Sequence, residues 1–296
     1  MLLQKHLNKG ILTDADLKRP KYKFLYWSMF VFLVLYCSTC GFPVIWILLS
    51  GFKDVKEMYS IPSSLFPKRI DLRKLLEVWR SMKFYKYYIN TFIMSAGSVI
   101  SDIIICGLAG YSLSRLKPVG TNLILAIFFW VLLMPGTMRT VPLYKTFINF
   151  PVLNVNLSES FVPIWLMAAA NVFDIILFKN FFDGISKSLV EAAQIDGAEN
   201  MSIFFRIILP LSTPVFLTVT IFTFNGSVGQ FFWPYLLISN KDLTVLGVQL
   251  FNMKSSTFTM DYQMLALIFS ILPQVIVFLI FQKKIIGGVN VGGVKG

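Results

Sequence analysis

FLYWSMFVFLVLYCSTCGFPVIWILLSGF, residues Phe24 to Phe52, carries no charged side chain and is closed by Lys23 at one end and Lys53 at the other. A bilayer-spanning helix needs about 20 apolar residues, so this run crosses with turns to spare. Comparable runs follow at about 87–114, interrupted by Asp102, then 118–138, 160–182, interrupted by Asp174, 211–238, and Tyr262 to Gln282 before Lys283 and Lys284. They predict an all-α polytopic membrane protein with six spanning helices. The other structure that satisfies every backbone group in lipid is a closed barrel, whose strands alternate every second residue. Ile124-Leu125-Ala126-Ile127-Phe128-Phe129 does not alternate.

Composition agrees: 56% hydrophobic and 14% charged residues lie far from the roughly 25% charged of a soluble domain. One His (His6) and three Cys (Cys37, Cys40, Cys106) leave no material for a metal site or a disulfide framework. Cys37 and Cys40 have redox spacing but fall inside the first run, where they read as packing. The net charge of +12 is scattered between apolar runs instead of forming one basic face, which argues against nucleic acid as a partner. The first run follows a mostly polar segment and has full spanning length, so it is expected to stay as a signal-anchor.

Lys and Arg set orientation, and an even number of spans puts both termini on one side. With the termini cytoplasmic, fourteen basic residues lie inside and thirteen outside. Nine of the outside ones (Lys53, Lys56, Lys68, Arg69, Arg73, Lys74, Arg80, Lys83 and Lys86) belong to the segment between the first two spans. Setting that longer segment aside leaves fourteen against four and favours cytoplasmic termini. Within the segment, Leu72, Leu75, Leu76 and Trp79 recur at helical spacing and predict an amphipathic extracytoplasmic helix.

The inside surface then carries the loop 183–210. Glu191-Ala192-Ala193-Gln194-Ile195-Asp196-Gly197 reads as a short helix started by Ser186, with Gly197 as its left-handed end. The small Ala192 and Ala193 allow close approach of another surface. Asn200 can cap a second helix that Pro210 ends or kinks.

E-A-A, a Gly four residues after the second Ala, and Ile207-x-Leu209-Pro210 after that Gly resemble the signature loop of permease subunits of ABC importers. Gly110-Tyr111-Ser112-Leu113-Ser114-Arg115, Phe231-Phe232-Trp233-Pro234 and the glycine-rich end Gly288 to Gly296 resemble the carbohydrate branch, specifically the smaller permease of maltose-type transporters. Ser186 and Val190 depart from that family's usual Pro and acidic residue.

The resemblance implies a type I importer permease in the bacterial plasma membrane. A cytoplasmic tail 1–23, a transmembrane domain 24–285 and a cytoplasmic tail 286–296 are expected. The implied partners are a second homologous permease forming a heterodimer, two ATPase subunits and an extracytoplasmic sugar-binding protein. Glu191, Ala192, Ala193, Asp196, Gly197, Ile207, Leu209 and Pro210 would couple to the ATPase, and Gly292, Gly293 and Lys295 would contact it from the tail. No G-x-x-x-x-G-K-[ST] phosphate cradle occurs, so no cofactor is expected here, ATP and Mg²⁺ being bound by the partner ATPase. No catalytic or metal-ligating residues are expected.

For the substrate pathway, Asn225, Gln230 and Trp233 offer amides for hydroxyls and an aromatic for sugar faces. In the resembled pair the larger permease makes most substrate contacts. Asp102 and Asp174 read as inter-helix hydrogen bonds or as a polar pathway wall. A secondary transporter or channel built on those two residues would explain the helices but not the 191–210 loop. An intramembrane enzyme lacks both an H-E-x-x-H motif and a reachable general base.

Overall fold

The computed structural model describes residues 20–62, 64–151, 153–253 and 258–289, with side chains of the final helix described as far as Gln282. Among them there is no strand, only an isolated bridge between Phe150 and Val155. The chain divides into two compact units, one ending at Leu72 but also taking Thr259–Ile268, the other comprising Arg73–Phe258 and the residues from Phe269 onward.

In the first unit, helix α1 (Pro20–Gly51) runs 32 residues, beginning before the expected position 24. Pro20 at its start has its φ pre-set for a helix and needs no amide partner there. The helix is apolar and exposed on nearly all sides, the pattern of a helix made to be covered by lipid or another chain. Cys37 and Cys40 are exposed on it, so they are not packed inside this chain. Gly51 is required by close approach: a Cβ there would stand 2.8 Å from Ile268 and 2.9 Å from Leu265. Lys53, expected as an outward charge, is instead buried. Its Nζ donates to the Ser64 carbonyl at 2.5 Å and lies 4.5 Å from the Trp46 ring centroid. Glu57 closes the same turn by accepting from Ser64 Oγ and Lys68 N, each at 2.9 Å.

The second unit starts with α2 (Arg73–Ser81), the predicted amphipathic helix. Its buried face is rotated from the expected one: Leu72 and Leu76 are exposed, whereas Val78 is fully buried. Trp79 fixes that rotation by packing on Phe84, Tyr88 and Phe269.

Helix α3 (Phe84–Tyr111) continues through a π-helical turn, Ser112–Leu116. The third predicted run is α4 (Thr121–Leu133), which breaks at Pro135 and turns 105° into α5 (Gly136–Ile148). Pro135 supplies no amide and disfavours helical backbone at Met134, so the chain leaves the axis there. The fourth run is α6 (Val162–Ala169) and α7 (Val172–Asp183), bent 40° where Asn171 caps α7 by accepting from Phe173 N at 3.1 Å.

α8 (Lys187–Ile195) and α9 (Asn200–Ile203) form the loop, α9 running on through a π-helical turn, Phe204–Ile208, to Leu211. A 79° bend leads into α10 (Thr213–Val228). The fifth run was expected to reach 238, but it breaks at Gly229 and Gln230 and resumes as the short α11 (Phe232–Leu237). α12 (Leu246–Met253) and α13 (Met260–Val289) complete the chain.

Among the described residues three helices, α1, α3 and α13, are long and apolar enough to span alone, and up to six spans result if each bent pair is one. α13 also corrects the tail boundary at 286, since Gly287 and Gly288 are helical. Each Gly costs about 1 kcal/mol against Ala, which a helix already nucleated can absorb. Residues 1–19 and the tail positions Gly292, Gly293 and Lys295 lie outside the described residues.

Candidate functional site

Helix α3 links three places on the second unit. Near its start, the Asn90 amide donates to the carbonyls of Asp242 and Thr244 at 2.7 and 2.9 Å, and Thr91 Oγ1 accepts from Leu246 N at 2.9 Å. Lys86 reaches Asp242 at 2.5 Å, and this bond holds the Asp242 carboxyl below its ordinary range. The neighbouring turn is clasped by Glu159, which accepts from Ser239 N and Asn240 N. Those backbone amides lower its pKa. The 238–246 connection is therefore shaped by side chains remote in sequence.

At the far end of α3, Gly110-Tyr111-Ser112-Leu113-Ser114-Arg115 carries the base of the loop. Gly110 lies where α3 touches α7, and a Cβ there would stand 2.7 Å from Phe178 Cβ, 3.0 Å from Lys179 N and 3.1 Å from the Ile175 carbonyl oxygen. Tyr111 donates its hydroxyl to the Asn200 carbonyl at 3.3 Å, and Ser114 donates to Asp183 at 2.6 Å. The Arg115 guanidinium donates to the carbonyls of Phe182 and Ile185, adding to the bond that the Phe182 carbonyl already accepts from Ile185 N at 3.1 Å and so bracing the turn after α7. Sequence reading noticed this motif without assigning it a task. Its partners are 67 to 89 residues away.

The loop itself has two faces. Val190 and Ala193 pack into a core with Tyr111, Phe182, Ile203, Phe204, Ile208 and Phe216, and Ile207 and Leu209 are half-buried against it. Ala193, Ile207 and Leu209 therefore take part in this chain's own packing, Ala193 being buried and Ile207 and Leu209 half-buried. Glu191, Ala192, Asp196, Gly197 and Pro210 are exposed. Ile195 (86% exposed), Met201 and Phe205 are apolar side chains of the same loop that are also exposed and that the motif did not single out.

Gly197 ends α8 with φ +77°. Gly197 N donates to the Gln194 carbonyl at 3.0 Å and Ala198 N to the Ala193 carbonyl at 2.9 Å, the paired bonds of a Schellman turn. Ser186 stands at the start of α8, but its hydroxyl meets Ser188 Oγ at 2.7 Å and caps no amide. Glu199, not Asn200, occupies the cap position of α9.

Midway along α3, a cleft of about 490 Å³ is lined by Asp102, Asn171, Asp174, Ser227, Gln230 and Trp233 among others. Gln230 and Trp233 thus join the two carboxyl groups, whereas Asn225 does not line this cleft. Asp102 is fully buried and accepts from the Thr223 hydroxyl, and Asp174 accepts from the Asn171 amide. Thr223 could not be anticipated, being 121 residues from Asp102. A second cleft of about 960 Å³, with Arg139 on its wall, shares Met167, Asn171 and Trp233 with the first. Among the described residues no three His, Cys, Asp or Glu side chains converge as metal ligands.

The family described as "Binding-protein-dependent transport system inner membrane component" matches residues 103–290. The chain is 30% identical over 277 residues to "Probable ABC transporter permease protein YurM" of Bacillus subtilis, covering 91% of this chain and 88% of that protein. It is 30% identical over 263 residues to "Diacetylchitobiose uptake system permease protein NgcG" of Streptomyces coelicolor, covering 88% and 86%. A chain from the crystal structure of a bacterial ABC transporter involved in import of the acidic polysaccharide alginate superposes with TM-score 0.77, covering 93% of this chain and 99% of that one. At 23% identity this is a likeness of fold.

Proposed function

Because the chain belongs to the family of binding-protein-dependent transport system inner membrane components, we propose that it forms, with a second homologous permease, the pathway of an ATP-driven importer for a sugar or oligosaccharide. A membrane transport component rather than an enzyme, it would take its substrate from an extracytoplasmic binding protein. Its energy would come from two ATPase subunits that bind ATP and Mg²⁺. The sugar class is supported by the similarity to NgcG and by the carbohydrate-branch motifs of the sequence. The basic residues support cytoplasmic termini, and hence a cytoplasmic position for the loop. The named relatives are permeases of an ABC transporter and of an uptake system, which favours the importer over the secondary transporter or channel.

The observation that carries the coupling assignment is the two-faced loop. Its inner face is locked to the bundle by Val190, Ala193 and Tyr111, while Glu191, Ala192 and Ile195 stand outward on a helix ended by Gly197. A push on the outer face is transmitted to α3 and α7 through packed side chains and the Arg115 bonds, because a close-packed core does not yield locally. Single cysteines at Ala192 and Ile195 are expected to form disulfide cross-links with cysteines in the ATPase cleft of the full complex. A cysteine at Thr121, on the separate helix α4, should not. Equal cross-linking at all three positions, or none at 192 and 195, would remove the assignment.

A further inference from the structure

We propose that the mid-membrane cleft at Asp174 is a sugar subsite contributed by this chain itself, accepting uncharged sugar rings and closed to uronates. The proposal rests on the reading of the chain as a sugar-importer permease and departs from the expectation that its partner permease makes most of the contacts.

Three observations point to a ligand. The cleft, about 490 Å³, falls within the roughly 300–1,000 Å³ of small-molecule sites and has room for one or two sugar rings. Its polar groups come from separate elements, Asp102 on α3, Asp174 on α7, Ser227 on α10 and Gln230 beyond it, and converge beside the half-buried Trp233 of α11. Finally, Asp102 is wholly buried, its Oδ2 takes the Thr223 hydroxyl, and the carboxyl also meets the Cys106 thiol. That carboxyl lies against the Asp174 carboxyl, itself bonded on one oxygen by Asn171. A simple inter-helix tie would need Thr223 and Asn171 only, and would not bring two carboxyl groups together on the wall of a cleft, where one must hold a proton for the other.

A sugar ring supplies what this wall lacks. Its hydroxyls donate to carboxyl and amide oxygens, it accepts from the Gln230 amide, and its C–H face suits the indole of Trp233. Trp233 is held edge-on by Phe147, with centroids 6.3 Å apart, so the ring is presented in a fixed pose. A metal ion fits less well, since among the described residues two carboxyl groups are the only acidic ligands lining the cleft. A uronate fits worst, for among the described residues no Lys or Arg lines this cleft and its carboxylate would face two acid groups without counter-charge from them. Arg139 belongs to the adjoining larger cleft.

The test uses the full complex in nanodiscs without binding protein. Saturation-transfer NMR is recorded with cellobiose and N,N′-diacetylchitobiose as uncharged probes and digalacturonate as the acidic one. Transfer to at least one uncharged probe and none to digalacturonate is expected, and Asp174→Asn or Trp233→Leu should reduce the signal about tenfold. Equal transfer from digalacturonate, no transfer from any probe, or an undiminished signal in both variants would overturn the subsite. The comparison of probes on the unmodified complex stands whether or not a variant assembles. Uptake by the same complex with its binding protein, measured in parallel, separates the two levels: transport without a cleft signal defeats only the subsite, whereas transport of no sugar defeats the reading beneath it.

Discussion

Gly197→Pro is expected to leave the chain inserted and paired with its partner permease while substrate-stimulated ATP hydrolysis falls roughly tenfold or more. At φ +77° the backbone of residue 197 is in a region that proline, fixed near −65°, cannot enter. Proline also removes the amide that donates to the Gln194 carbonyl, opening the Schellman turn that ends α8. A displaced turn and a lost bond together cost on the order of 2–4 kcal/mol, concentrated where α8 hands its position to α9. No atom lies within 4 Å of the position where a Cβ would stand, so the change disturbs the turn and not the bundle. Glu191→Ala should act in the same direction with the turn intact, by removing an exposed charge from the docking face. Stimulated ATPase activity retained in both variants would show that the loop is not the coupling element.

Gly110→Val should act on the fold itself. Its Cβ would press on Phe178 Cβ and on the backbone of Lys179 and Ile175, which cannot rotate away, so α3 and α7 must separate. Overpacking of a core costs about 1–3 kcal/mol even where side chains can yield, and here the obstacle is largely main chain. The separation would also strain the bonds from Tyr111, Ser114 and Arg115 that seat the loop. We expect a large loss of assembled complex and a lowered melting temperature in detergent. Gly41→Ala is the control, with nothing within 4 Å of its Cβ position, and should melt unchanged or slightly higher. Equal melting of the two variants would contradict the close helix contact at Gly110.

The spanning helices were legible because lipid enforces long uncharged runs, and the left-handed turn at Gly197 was legible because that conformation favours glycine. Helix ends were less so. Nothing in the composition of 211–238 announced that the helix would stop at Val228, and the two glycines at 287 and 288 looked more disruptive than a long preceding helix allows them to be. The E-A-A motif located the loop but not its orientation: Ala192 and Ala193 are alike in sequence, yet one is exposed and the other packs inward. The tasks of Tyr111, Arg115 and Thr223 were hidden because each bonds to a residue 67 or more positions away. Asp102 and Asp174 stood out as carboxyl groups in apolar runs, but only their shared cleft with Gln230 and Trp233 suggests a use beyond tying helices together.

The central claim is that this chain moves sugar by yielding to an ATPase instead of an ion gradient. The direct measurement is uptake of labelled sugar, presented by the binding protein, into proteoliposomes holding the full complex, with ATP and Mg²⁺ enclosed on the ATPase side. Uptake should require enclosed ATP and be insensitive to an imposed proton or sodium gradient. Gradient-driven uptake by the permeases without ATPase subunits or ATP would contradict the account.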